Sequence, residues 1–228
     1  MRVAVVIGGI AILAVAGPPS AGLAQSSGSR DGAAAGDSAR TDSLALTAAE
    51  IDEAIAWGTR ERKPFAYLYG PIAGGMAGAL FRASGLSPSI IAMGPFGRVA
   101  TEAATAKRRY MAYDQTSVSR EARLPVLLVR AEPPTPAADR SMRSHQPLKI
   151  EHIVLQSRTK GAAAVQPLWA REEPLQWQNG FGATFSGTGV SAAFALTDVP
   201  PDDFDIVLIT SSGEERALVN RKWRAFLR

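Results

Sequence analysis

The spacing of apolar residues predicts an α+β fold: two amphipathic helices packed on a mainly antiparallel β-sheet or sandwich formed largely by the C-terminal half. Ile51, Ala54, Ile55 and Gly58, and again Phe96, Val99, Ala100 and Ala103, recur at the three-to-four-residue interval of one helix face. Val190, Ala192, Phe194 and Leu196 alternate with Ser191, Ala193, Ala195 and Thr197, the period of a strand with one apolar side. No helix-spaced segment separates the later strands, which argues against a parallel α/β alternation.

The first residues carry an address rather than a fold. Arg2 precedes an uncharged apolar run, Val3 to Ala16, followed by Gly17-Pro18-Pro19 and small residues up to Ala24. This order is that of a signal peptide, residues 1–24, cut after Ala24. A retained membrane anchor fits less well, because the run falls short of the roughly 20 residues that cross a bilayer. Residues 25–45, rich in Ser, Gly, Ala and Asp, are expected to be a flexible linker, and residues 46–228 one α+β domain. The expected location is secreted or periplasmic, with no transmembrane segment once the leader is cut.

The first helix is announced by Leu46-Thr47-Ala48-Ala49-Glu50-Ile51. Thr47 caps it, Glu50 reaches back to the cap amide, and Leu46 and Ile51 make a hydrophobic staple. The periodicity carries it to about Arg60. Phe65 to Tyr69 reads as a short aromatic strand, Ile72 to Leu86 as a loop or short helix, and Ser89 to Met93 as a buried strand. Gly94-Pro95 then turns the chain into a second helix, with Tyr110 ending its inner stripe and Lys107, Arg108 and Arg109 in its last turn. Leu124 to Val129 is a strand with Pro125 at its start, and Glu132 to Pro147, with four prolines, a long loop. Lys149 to Gln156 and Ala163 to Ala170 are expected to form a hairpin turning at Gly161. The turn-forming Glu172 to Gly189 leads to three strands within Val190 to Val219, spaced as an antiparallel meander.

Leu46-Thr47-Ala48-Ala49-Glu50-Ile51-Asp52-Glu53-Ala54, the Pro95-Phe96-Gly97-Arg98-Val99-Ala100 helix start, the leader and the strand-rich tail together resemble a loose group of uncharacterised exported bacterial proteins. That resemblance implies export and nothing catalytic.

Composition narrows the chemistry. The chain has 228 residues, 46% of them hydrophobic, enough for a full core. It has no cysteine, which excludes disulfides, thiol nucleophiles and a lipid anchor on a processed cysteine. The formal net charge of +4 falls to +3 once Arg2 is lost with the leader, too weak a bias to name a polyanionic partner. No specific nucleic-acid signature is present.

Candidate sites are few. His145 and His152 are the only imidazoles, and His152 with Glu151 or Asp205 as acidic partner is the candidate catalytic set for an extracytoplasmic hydrolase. No HExxH spacing and no Gly-x-Ser-x-Gly occurs, and Phe185-Ser186-Gly187-Thr188-Gly189 suits a turn or bulge better than a nucleophile elbow. Asp198, Asp202, Asp203 and Asp205 cluster but match no calcium loop, so no metal and no cofactor is expected. Arg98 in the strand-to-helix turn, with Lys107, Arg108 and Arg109, is the candidate anion site. Trp169, Trp177 and Phe181 beside a glycine-rich stretch are the candidate ligand platform. The expected function is an exported, non-catalytic binding or envelope-associated protein, with a cell-envelope glycan or protein as the class of partner its address allows.

Overall fold

In the computed structural model, residues 44–61, 65–70, 88–134, 149–178 and 184–228 are described. The expected signal peptide, nearly all of the expected linker, the 72–86 segment, residues 135–148 of the expected long loop with His145, and Phe181 lie outside them.

Helix α1, Ala48–Arg60, begins where the capping residues stand. Thr47 Oγ1 accepts from the Glu50 amide at 3.3 Å, and the Glu50 carboxylate accepts from the Thr47 amide at 2.9 Å. Strand β1, Tyr67–Tyr69, and strand β2, Ser89–Met93, lead into helix α2, Pro95–Arg108. The two helices cross closely at Gly58, where an added Cβ would lie 2.0 Å from the Ala100 carbonyl oxygen. Tyr110 does not close the inner stripe of α2. The chain turns out of the helix there with φ 57°, leaving the ring 98% exposed. A short 3-10 turn, Gln115–Ser117, and helix α3, Arg120–Arg123, follow.

The strands come next: β3 (Val126–Glu132), β4 (Ile150–Ser157), β5 (Trp169–Gln178), β6 (Thr184–Ala195), β7 (Phe204–Thr210) and β8 (Gly213–Val219). They pair, antiparallel throughout, in a five-stranded sheet of order β1-β2-β3-β6-β5 and a three-stranded sheet of order β4-β7-β8. The fold is therefore α+β and dominated by antiparallel sheet. Ile90, Leu127, Val129 and Phe194 of the first sheet share one buried cluster with Ile153, Leu155, Phe204, Ile206 and Leu208 of the second. Each such side chain contributes about 1.5–3 kcal/mol by leaving water, and with no cysteine this seam is the main source of stability. Tyr67 links the sheets by donating its hydroxyl to the Leu218 carbonyl at 3.1 Å, and burial raises its pKa well above the ordinary tyrosine value.

Two strand assignments made from sequence need correction, and proline and sheet-switching account for both. Ala163 to Ala170 does not complete a hairpin with β4. Gly161 turns at φ +83° and Val165 exchanges two backbone hydrogen bonds with Leu155, but Pro167 has no amide to continue the ladder. The chain crosses to the other sheet, where the Leu168 amide donates to the Ala193 carbonyl at 2.7 Å. Nor is Val190 to Val219 a meander: β7 and β8 pair, while β6 belongs to the opposite sheet and the Pro200-Pro201 connection carries the chain across. The turn-rich reading of Glu172 to Gly189 also gives way, since β5 and β6 form a long hairpin with Pro174 opposite Thr188. β5 is an edge strand, where a proline costs no ladder bond and helps block strand addition.

After β8, helix α4 (Arg221–Arg224) and a 3-10 turn (Ala225–Leu227) return the chain to the helices. Trp223 meets Tyr67 edge-on at 5.5 Å, Phe226 lies 5.4 Å from Trp223 and 5.0 Å from Phe65, and Phe65 lies 4.4 Å from Phe96. This aromatic chain joins the sandwich core to the separate apolar cluster of the helices, which holds Ile51, Ala54, Phe96 and Val99.

Candidate functional site

Strand alternation sends Ile90, Ala92, Leu127 and Val129 inward, so their neighbours face out on the five-stranded sheet. Register then sets these outer residues in rows. One row runs Ile91, Arg130, Ser191, Arg171; the next holds Met93, Leu128, Ala193 and Trp169; on the other side lie Ser89 opposite Glu132 and Gly189 opposite Glu173. The result is a face with small residues of β6 (Gly189, Ser191, Ala193) between longer side chains of β3 and β5. At Gly189 an added Cβ would approach the Ala131 oxygen and Leu175 Cδ1 to 3.0 Å, so the floor there is tightly built.

Charges on this face alternate and neutralise one another. Arg130 lies 3.1 Å from Glu132 and 3.6 Å from Glu173, and Arg171 lies 3.3 Å from Glu173. Four residues joined by three ion pairs hold one another better than an isolated surface pair, which is worth about 1 kcal/mol or less. Arg130 Nε is nevertheless buried without a well-formed hydrogen bond. Ser191 is only 2% exposed and its hydroxyl has no hydrogen-bond partner among the described residues. Trp169, 40% exposed at the edge, carries the Arg171 guanidinium 4.9 Å above its ring. The face thus offers guanidinium donors, carboxylate acceptors and an indole, a combination suited to hydroxyl-rich or amide-bearing ligands.

Of the predicted platform, Trp169 stands here. Trp177 is in β5 opposite Phe185, with its side chain outside the described residues, as is Phe181. Arg130, Glu132, Arg171, Glu173 and Ser191 were not foreseen. The available signal is the Arg-x-Glu spacing that occurs in both β3 and β5, because residues two apart share a strand face.

The candidate catalytic set is not brought together. His152 is exposed on the outer face of the three-stranded sheet, opposite Ile209, and has no hydrogen-bond or ion-pair partner among the described residues. Glu151 falls at a register shift between Ile150 and His152, so both residues are exposed in succession rather than on opposite faces. Asp205 is opposite Gln156, four residues along β4, which puts it about 13 Å from His152. Its carboxylate is buried between Arg158 and Arg216, each at 3.8 Å. Among the described residues no three His, Asp or Glu converge as metal ligands, and no helix is long and apolar enough to cross a membrane.

The candidate anion site is committed internally. Arg98 donates to the carbonyls of Glu121 at 2.6 Å, Leu124, and Val126 at 3.2 Å, closing the end of α3. Burial lowers its pKa to about 10, which leaves it charged at neutral pH. The amide of Phe96, at the start of α2, donates to the Arg228 backbone oxygen at 3.1 Å. Lys107 donates to the Thr59 carbonyl and Arg108 to Thr105 Oγ1 at 3.2 Å, while Arg109 is the C-cap residue of α2. Lys107, Arg108 and Arg109 are exposed beside Tyr110 and Met111.

No family model matches the chain, and neither a curated protein nor a solved structure matches it.

Proposed function

We propose that the chain is an exported, non-catalytic binding protein of the cell envelope and that the outer face of the five-stranded sheet is its contact surface. The observation that supports this reading best is the Trp169–Arg171 stack beside the Arg130–Glu132–Glu173 network. Hydroxyl-rich glycans need donors and acceptors interleaved around a ring face, and this surface has both. Export rests on Arg2 and the apolar run to Ala16, with release after Ala24. A hydrolase through His152 gains nothing from the geometry, since among the described residues no acidic partner lies within hydrogen-bond reach of it.

The test is a thermal-shift and fluorescence titration with soluble peptidoglycan fragments, using wild type and Trp169→Ala. A ligand at a hundred times its dissociation constant stabilises the fold by about 2.7 kcal/mol, a readable rise in Tm. Saturable binding by wild type that Trp169→Ala loses supports the reading. Equal binding by both proteins, or none by either, sinks it.

A further inference from the structure

A second surface has chemistry of its own. Where β4 ends and β7 begins, a cavity of about 580 Å³ is lined by Arg158, Thr159, Asp202, Asp203, Arg221 and Arg224, with Pro201 at its wall. That volume lies within the range of small-molecule sites, roughly 300–1,000 Å³. Three guanidinium-bearing side chains around one cavity repel one another unless acids or a bound anion offset them. Arg158 is offset by Asp205 at 3.8 Å. Arg221 and Arg224 have no side-chain hydrogen bond or ion pair among the described residues.

Their placement is set by the fold. On a one-turn helix residues three apart share a side, so Arg221 and Arg224 line the cavity together while Lys222 does not. Trp223 packs against the sandwich core, which fixes the rotation of that turn. Asp203 anchors the frame from both sides: its carboxylate accepts the Arg221 amide at 3.0 Å, and its backbone carbonyl accepts the Arg158 amide at 3.4 Å. Asp202, by contrast, has no partner among the described residues, and neither has the Thr159 hydroxyl.

We propose that this cavity binds a small phosphorylated sugar, with Arg221, Arg224 and Arg158 on the phosphate and Asp202 accepting from sugar hydroxyls. Arginine forks match phosphate oxygens in pairs, and Arg221 and Arg224, with no ion pair of their own among the described residues, are free to do so. Asp202 argues against a bare polyanion, which it would repel, and for an anion that carries hydroxyl donors.

Calorimetry on the full chain with glucose 6-phosphate, inorganic phosphate and glucose tests the assignment. Glucose 6-phosphate is expected to bind at one saturable site, more tightly than phosphate or glucose alone. Arg224→Gln and Lys222→Gln each remove one positive charge from the same turn. The first is expected to weaken binding about tenfold or more, as loss of a charge-assisted hydrogen bond does, and the second to stay within about twofold. Asp202→Asn is expected to weaken glucose 6-phosphate but not inorganic phosphate, and it tests the site even if an arginine variant unfolds. Equal losses in Arg224→Gln and Lys222→Gln would reduce the cavity to non-specific electrostatics and overturn the proposal. So would the absence of saturable binding, or an Asp202→Asn variant that weakens both ligands alike.

Discussion

The two long helices start in opposite ways. At α1 everything needed lies within four residues: Thr47 and Glu50 satisfy each other's amides, and the Thr47 hydroxyl also donates to the carboxylate at 2.8 Å. At α2 the N-cap is Gly94, which has no side chain, and Pro95 contributes no amide. The Phe96 amide finds its acceptor on Arg228, whose guanidinium then lies 4.5 Å above the Phe96 ring and pairs with Glu53 of α1 at 2.9 Å. A local cap stabilises its own helix. A cap supplied by distant chain binds together α1, α2 and the segment after β8, so damage there should reach further.

The largest expected effect is at Phe96, fully buried between that segment and Phe65. Phe96→Ala is expected to cost about 3–5 kcal/mol in urea unfolding, with an unchanged slope. A loss below about 1 kcal/mol would mean that the remote cap carries no packing and that the two helix starts are equivalent. Next is Gly94→Ala. Its Cβ would stand 1.9 Å from the Leu227 oxygen, a backbone clash that no rotamer relieves, with an expected cost of about 3 kcal/mol. Thr47→Ala, which removes only the local cap, is expected to cost about 1 kcal/mol. If the order of these two reverses in parallel denaturation curves, the contrast fails.

The same contrast separates what could be read in the chain from what could not. The α1 cap, the Ser89–Met93 strand and the inward alternation of Val190, Ala192 and Phe194 are local patterns, and each stands where its residues predict. The α2 cap, the crossing at Pro167 and the separation of β6 from β7 depend on partners far along the chain, and no window of sequence displays them. Tyr110 fits the helical period but falls past the C-cap, where the backbone has already turned over. The face proposed for binding divides in the same way. Trp169 was visible as a large aromatic near turns, whereas the Arg130–Glu173 pair exists only because β6 places β3 and β5 on either side of Ser191.

A smaller effect sharpens the picture of the remote cap. Arg228 and Glu53 are each about half exposed, so their ion pair alone should be worth about 0.2–1 kcal/mol in a double-mutant cycle of Arg228→Ala with Glu53→Ala. Arg228→Ala by itself should cost more than this coupling, because it also uncovers the faces of Phe96 and Phe65. Equality of the two numbers would assign the whole role of the side chain to charge and none to stacking.

The smallest effect belongs to the local cap and depends on pH. The Thr47 amide and then its hydroxyl hold the Glu50 carboxyl below its ordinary value of 4.5, and Arg228 adds a weaker pull in the same direction. A carboxylate whose folded pKa is depressed stabilises the fold fully above its unfolded pKa, and that contribution is lost as pH falls through the folded one. Glu50→Gln should therefore be less stable than wild type at neutral pH, with the gap closing only below about pH 4.5. Adding Arg228→Ala should shift that closure slightly upward, since it removes the weakest of the three sources of the depression. Chemical denaturation at intervals from pH 7 to about pH 3 measures both. A gap that persists unchanged at the acid end would mean that the Glu50 carboxylate is not what holds the first turn of α1, leaving the Thr47 hydroxyl as the sole side-chain cap.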